Sequence, residues 1–237
     1  MIKNNTKLAT HTANIDLIKN DLVIDSFGNA SSRLNGKTFF IKPSGVNLED
    51  ISFEDISEVQ IQSGKRISGR APSSDTPTHL ELYKTFENIG GVVHTHSLYA
   101  TAWAQAKVPI PCLGTTHADY WNDKIHVTRD LKKDEINSDY EKETGKVIIE
   151  KLSELKADPL EYPGMLVANH GPFTWGKNIF DAVKNAIRLE YIAKLAFLSL
   201  SINPNLGVLS KSMINKHFFR KHGPDAYYGQ DKDWRNF

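Results

Sequence analysis

Apolar side chains return with helical spacing in four stretches of the chain. Residues 78–89 form the first, where Thr76 can cap and Pro77 suits the first helical position. Residues 134–155 place Ile136, Tyr140, Val147, Ile148, Leu152 and Leu155 largely on one stripe. The third, 181–201, does the same with Ala182, Val183, Ala186, Ile187, Leu189, Ile192, Leu195 and Ala196, and 209–221 is the last. Short runs with strand character lie between them at 37–42, 58–62, 91–94, 124–127 and 165–169, with 173–175 following a Gly-Pro turn. Interleaved helices and strands predict a layered α/β domain. Proline and glycine are spread as punctuation, without repeat, low-complexity linker or domain boundary, so one domain over 1–237 is expected.

Composition narrows the partners. The 237 residues are 40% apolar and 24% charged, and 29 basic side chains stand against 28 acidic ones. A formal charge of +1 removes the electrostatic case for a nucleic-acid binder or a polybasic membrane-surface protein. Eleven Phe, eight Tyr and four Trp supply ample core material. Cys112, the single cysteine, excludes an intramolecular disulfide framework and a cysteine-cluster metal site, and fits a reducing compartment. The first 30 residues lack the apolar stretch of a signal peptide. The most apolar segment, 189–202, contains Glu190, Lys194, Ser199 and Ser201 and reads as a core helix, not a membrane span. A cytoplasmic location is expected. No G-x-G-x-x-G follows a strand and no Walker sequence is present, so nucleotide chemistry has no support.

The sharpest local feature is His94-Thr95-His96, after Gly90-Gly91-Val92-Val93. In an extended segment His94 and His96 project from one face, a start for a transition-metal site, although one core and one surface histidine would look the same. His170 ends another apolar strand before Gly171-Pro172, and Asp75 sits where the chain enters a helix. Each has an ordinary reading, a turn residue for His170 and a helix cap for Asp75. Both nonetheless lie at element ends, where α/β folds gather function. Three histidines and a carboxylate suit Zn²⁺, and Mn²⁺, Co²⁺ or Fe²⁺ accept the same ligand types.

Three strings carry a family resemblance: Lys42-Pro43-Ser44-Gly45, Pro72-Ser73-Ser74-Asp75-Thr76-Pro77-Thr78-His79, and Gly91-Val92-Val93-His94-Thr95-His96-Ser97. Together they resemble the zinc-dependent class II sugar-phosphate aldolases and epimerases. Thr115-Thr116-His117-Ala118-Asp119-Tyr120, His170-Gly171-Pro172-Phe173, Lys221-His222-Gly223 and Ala226-Tyr227-Tyr228-Gly229-Gln230 are similar to the L-ribulose-5-phosphate 4-epimerase branch. The resemblance runs in order from about Gly28 to Gln230; the tail 231–237 extends past it, and the loop 30–36 departs from the pattern.

The resemblance implies a three-layer α/β/α domain with a largely antiparallel central sheet. It also implies a homotetramer with active sites between subunits, the tail 222–237 reaching a neighbour. The implied reaction inverts carbon 4 of a pentulose phosphate, a carbon β to the ketone whose hydrogen is not acidic. Inversion then proceeds by breaking the bond between carbons 3 and 4, giving an enediolate and glycolaldehyde phosphate, and re-forming it on the other face of the aldehyde. A divalent Lewis acid would stabilise the developing charge. By the same resemblance Asp75, His94, His96 and His170 form the metal set, with Asp75 either a ligand or a base. Asp119 and Tyr228 exchange protons on opposite faces of the aldehyde, Tyr228 coming from a neighbouring subunit, and their pKa values should be drawn toward neutrality. Gly28, Asn29, Lys42, Ser44, Gly45, Ser73, Ser74 and Thr116 are expected around the substrate and its phosphate, with Glu141 and His217 as supporting residues. An aldolase that releases its products is the nearest competing reading, and a non-catalytic scaffold of the same fold is a more distant one. The catabolic route served, from L-arabinose, L-ascorbate or L-xylulose, leaves no mark on the sequence.

Overall fold

The computed structural model describes residues 1–156, 158–223 and 226–228. Seven strands form one sheet: β1 (Asn29–Arg33), β2 (Thr38–Ile41), β3 (Ser57–Gln60), β4 (Arg66–Ser68), β5 (Gly91–His94), β6 (Gly164–Val167) and β7 (Gly171–Gly176). The helices are α1 (Ile2–Lys19), α2 (Thr76–Thr85), α3 (Leu98–Ala106), α4 (Thr115–Ala118), α5 (Lys133–Ile136), α6 (Tyr140–Leu155), α7 (Ile179–Ile202) and α8 (Lys211–Phe219). The strand order is β4-β3-β2-β1-β5-β7-β6, and every neighbouring pair is antiparallel.

Alternation along the central strands builds a core on each face. Val92, Phe173, Trp175, Met165 and Val167 join Leu82 and Tyr83 of α2 and Ile148 and Leu152 of α6 in one cluster. Ala30 and Val93, one residue out of phase, join Ala13 and Leu17 of α1 and Ile179, Ala182 and Ala186 of α7 in another. The result is the expected α/β/α arrangement. β5, buried at every position, runs between β1 and β7 and ends at His94.

Several expectations need correction. The 134–155 stripe is interrupted: Asn137 to Asp139 separate α5 from α6, and Asp139 accepts the Lys142 N–H as a new N-cap. Thr76 lies inside α2 rather than capping it. The run 124–127 forms only isolated bridges, Ile125 to Ile110 and Val127 to Leu166. Five of these elements escaped the pattern reading, α3 and α4 among them. α1 buries Thr10 and Asn14 beside Ala13 and Leu17, which blurs its apolar stripe; β1 reads Asn-Ala-Ser-Ser-Arg; and β4 is exposed throughout.

α3 leaves the sheet directly after the histidine strand, and its start is fixed from α7. The Glu190 carboxylate accepts the N–H groups of Tyr99 and Ala100, both at 2.9 Å, while Ser97 makes no side-chain cap. An anion on otherwise orphaned N–H groups at the positive end of a helix is stabilising. Glu190→Ala is therefore expected to lower unfolding stability by about 1–2 kcal/mol. A urea midpoint equal to that of the unaltered chain would show that Glu190 does not anchor this helix.

Candidate metal centre

β5 and the β6–β7 loop bring three histidines together. His94 is the last residue of β5, with His96 two positions on. His170 follows Asn169, whose φ of 62° turns the chain sharply between β6 and β7. That turn is held by the Asn169 side chain donating to Asp130 at 2.8 Å and the Asn169 N–H donating to Ala104 O at 3.0 Å. Two glycines permit the close approach. Gly28 has φ +88° and a Cβ there would lie 3.0 Å from the His94 carbonyl; one at Gly171 would lie 2.8 Å from that of Thr95.

The ligating nitrogens of His94, His96 and His170 all lie within 4.8 Å of one another. The Nε2 atoms of His94 and His96 are 3.1 Å apart, close to the edge of about 3.4 Å for a tetrahedral zinc site with Zn–N near 2.1 Å. His94 Nδ1 donates to Pro172 O at 3.0 Å, which fixes the tautomer and leaves the Nε2 lone pair free. Phe173 stacks on the His94 ring at 4.1 Å and 12°, fixing its plane. Burial lowers the pKa of all three, with neighbouring imidazoles adding to it for His94 and His170. Asp75 opposes that shift at His96 and His170. Neutral imidazoles with converging lone pairs are what a divalent cation requires.

Asp75 lies beside this triad and outside the converging group. Its Oδ2 accepts Asn29 Nδ2 at 2.7 Å, so its side chain does not cap α2 either. The same amide donates to Ser73 Oγ at 3.1 Å, and Ser73 N–H donates to Lys42 O at 2.9 Å. Lys42 is 2% exposed and donates to Ser26 O; burial lowers its pKa and Asp75 raises it. Ser44, Gly45 and Ser74 lie exposed nearby along these two strand-to-helix connections, Ser44 N–H bound to Ala71 O. Asn29 Oδ1 is a buried acceptor with no hydrogen-bond partner among the described residues. Tyr140, not foreseen in this role, places its hydroxyl 3.4 Å from His170 Nδ1, and Phe27 packs against His96 at 5.8 Å. Glu141 contributes its backbone carbonyl to Thr78.

Asp119 and Tyr228 belong to a second group. Asp119, at the end of α4, accepts from His217 Nδ1 at 3.0 Å and from Arg220 Nε and Nη2 at 3.0 and 2.9 Å, with Lys221 Nζ at 3.1 Å. Burial alone would raise its pKa; Arg220, His217 and Lys221 outweigh that and hold the carboxyl below its ordinary value. The expected pull toward neutrality is therefore reversed, because three cationic or donor groups converge on one carboxylate. Arg220 and Lys221 also sit over the Tyr228 ring at 4.6 and 4.7 Å, leaving that residue 52% exposed. Thr116 is exposed on α4, and buried His117 donates its Nε2–H to Asp123 O, an internal role. Among the described residues, no hydrogen bond, ion pair or ring contact joins this cluster to the histidine triad. The residues 229–237, including the unexplained tail 231–237, lie outside those described.

Comparison with known proteins adds the family. Residues 10–197 match the profile of the class II aldolase and adducin N-terminal domain. An L-fuculose 1-phosphate aldolase superposes with a TM-score of 0.74 at 24% identity, covering 90% of this chain and 94% of that one. YgbL from Klebsiella pneumoniae, described as a candidate aldolase/epimerase/decarboxylase, gives 0.73 at 25%, covering 91% and 99%. The L-fuculose 1-phosphate aldolase from Glaciozyma antarctica PI12 gives 0.75 at 17%, covering 95% and 86%. The profile spans most of the chain, and its sheet and histidine cluster agree with it: the protein belongs to the class II aldolase and adducin N-terminal domain family.

Proposed function

We propose that this protein is a divalent-metal-dependent sugar-phosphate epimerase that interconverts L-ribulose 5-phosphate and D-xylulose 5-phosphate, with Zn²⁺ as its metal. The observation that carries this reading is the triad of His94, His96 and His170 beside the Asp75 carboxylate. A cation bound there supplies Lewis-acid stabilisation of charge developing on the substrate. The remaining work falls to the chain. Ser44, Gly45, Ser73, Ser74 and Lys42 grip the phosphate, and Asn29 Oδ1 accepts a substrate hydroxyl. Gly28 lets the Asn29 backbone run against β5. Asp75, oriented by Asn29, serves as a base rather than a fourth ligand.

Asp119 and Tyr228 handle the proton of the carbon-4 hydroxyl on its two faces, with Glu141, Thr116 and His217 in support. His217 and Arg220 orient Asp119, and Tyr228 presents an exposed phenol toward a neighbouring subunit. Support for a homotetramer comes from the apolar side chains left exposed on α3 and α7, among them Leu98, Tyr191, Phe197, Leu198 and Ile202. No described helix is long and apolar enough to cross a membrane, and the cytoplasm remains the proposed location.

Metal-loaded protein incubated with L-ribulose 5-phosphate tests this directly. D-xylulose 5-phosphate should form without accumulation of fragments. Stoichiometric dihydroxyacetone and glycolaldehyde phosphate would make the protein an aldolase, and no turnover of this or L-fuculose 1-phosphate would favour a scaffold.

A further inference from the structure

β1 and α2 meet along a polar seam inside an otherwise apolar core. Asn29, Ser31 and Arg33 occupy alternate positions of β1, while Ala30 between them packs on the opposite face. Asp75, His79 and Tyr83 recur every four residues along α2. The two rows pair in order. Asn29 donates to Asp75 at 2.7 Å; Ser31 Oγ lies 2.7 Å from His79 Nδ1 and 2.8 Å from the Tyr83 hydroxyl; and Arg33 donates to Tyr83 O at 2.7 Å. Phe39, Leu82, Val92 and Phe173 surround them.

The direction of the Tyr83–Ser31–His79 chain follows from counting unsatisfied groups. If Ser31 donated to Tyr83, the buried phenol O–H would lack an acceptor and His79 Nε2 would be a bare lone pair. If Tyr83 donates to Ser31 and Ser31 to His79 Nδ1, only one group is left over, an Nε2–H. His79 is 0% exposed, and burial pushes its pKa down to about 3, so the ring stays neutral. Its side chain leans toward the start of α2, over the turn that carries Asp75. The His79 and Phe173 rings meet at 67° with centroids 6.3 Å apart, and Phe173 in turn stacks on His94.

We propose that His79 is a positioning residue for the metal centre. Locked by Tyr83 and Ser31 as the neutral Nε2–H tautomer, it braces Phe173 against His94 and sets a fixed donor behind the Asp75 end of α2. A cation in this place would oppose a divalent ion, and an unlocked ring would release the plane of His94. The inference rests on reading His94 as a metal ligand.

Two measurements on the full chain test it. In metal-free protein labelled with ¹⁵N-histidine, His79 should show a protonated Nε2 and an unprotonated Nδ1, and Ser31→Ala or Tyr83→Phe should mix the tautomers. Loaded with Co²⁺, the same two variants should bind the ion about tenfold more weakly and shift its visible ligand-field bands. His79→Gln, which retains a donor, should perform closer to the unaltered chain than His79→Leu. A protonated Nδ1 at His79, or unchanged Co²⁺ affinity and spectrum in all four variants, would overturn the positioning role alone. Failure of the unaltered chain to bind Co²⁺ would overturn the metal reading together with it.

Discussion

Changing His96 or His170 to Asn is expected to remove the bound metal and lower turnover by about a thousandfold or more, with the protein still folded. Lewis-acid stabilisation is worth several kcal/mol, and each 1.4 kcal/mol is a factor of ten in rate. Asparagine keeps a polar group but offers no strong nitrogen lone pair at the convergence point of the triad. These two positions suit the test because His96 and His170 lie at the end of β5 and in the β6–β7 loop. His94, by contrast, is buried, bonded to Pro172 O and stacked on Phe173, so its loss would damage packing as well. Metal content by elemental analysis and thermal unfolding should separate in these variants, the first falling and the second nearly unchanged. Full metal occupancy with normal turnover in either one would remove the triad from the account.

A mixture of two inactive oligomers is expected to recover activity, and the structure dictates which two. Asp119 and Tyr228 share Arg220 and Lys221 within one chain, so they enter any shared site as a unit. Pairing Asp119→Asn with Tyr228→Phe would therefore leave every shared cluster incomplete. Pairing His96→Asn with Tyr228→Phe supplies an intact triad from one chain and an intact cluster from the other. Random exchange of subunits in equal amounts should restore about a quarter of the sites, a direct consequence of symmetric assembly. Loss of the acid/base group costs each parent roughly 10²–10⁴-fold, which leaves a low background for the recovery. Exchange demonstrated by mass spectrometry without recovered activity would place the whole site in a single chain.

Much of this was legible in the chain, for identifiable reasons. β5 and β6 are short apolar runs leading into histidines, and periodicity together with the turn at Gly171-Pro172 marks both. α7 keeps a clean stripe and was bounded to within two residues. β1 was invisible because its Asn, Ser and Arg side chains satisfy one another's partners on α2 rather than burying apolar surface, and pattern reading has no rule for such a seam. The same cause conceals His79. Arg220 and Lys221 looked like ordinary solvated charges, since nothing local shows that Asp119, about a hundred residues earlier, will face them. The low pKa of Asp119 was thus missed along with its partners. Asp75 was found by resemblance, but only the Asn29 contact separates its carboxylate from the triad.

If the triad supports the making and breaking of a carbon–carbon bond, the reaction also runs from its fragments. Metal-loaded protein supplied with dihydroxyacetone and glycolaldehyde phosphate should slowly form pentulose phosphate, and the His96→Asn protein should form none. Epimerisation of L-ribulose 5-phosphate with no condensation of the two fragments, even at high concentration, would contradict it.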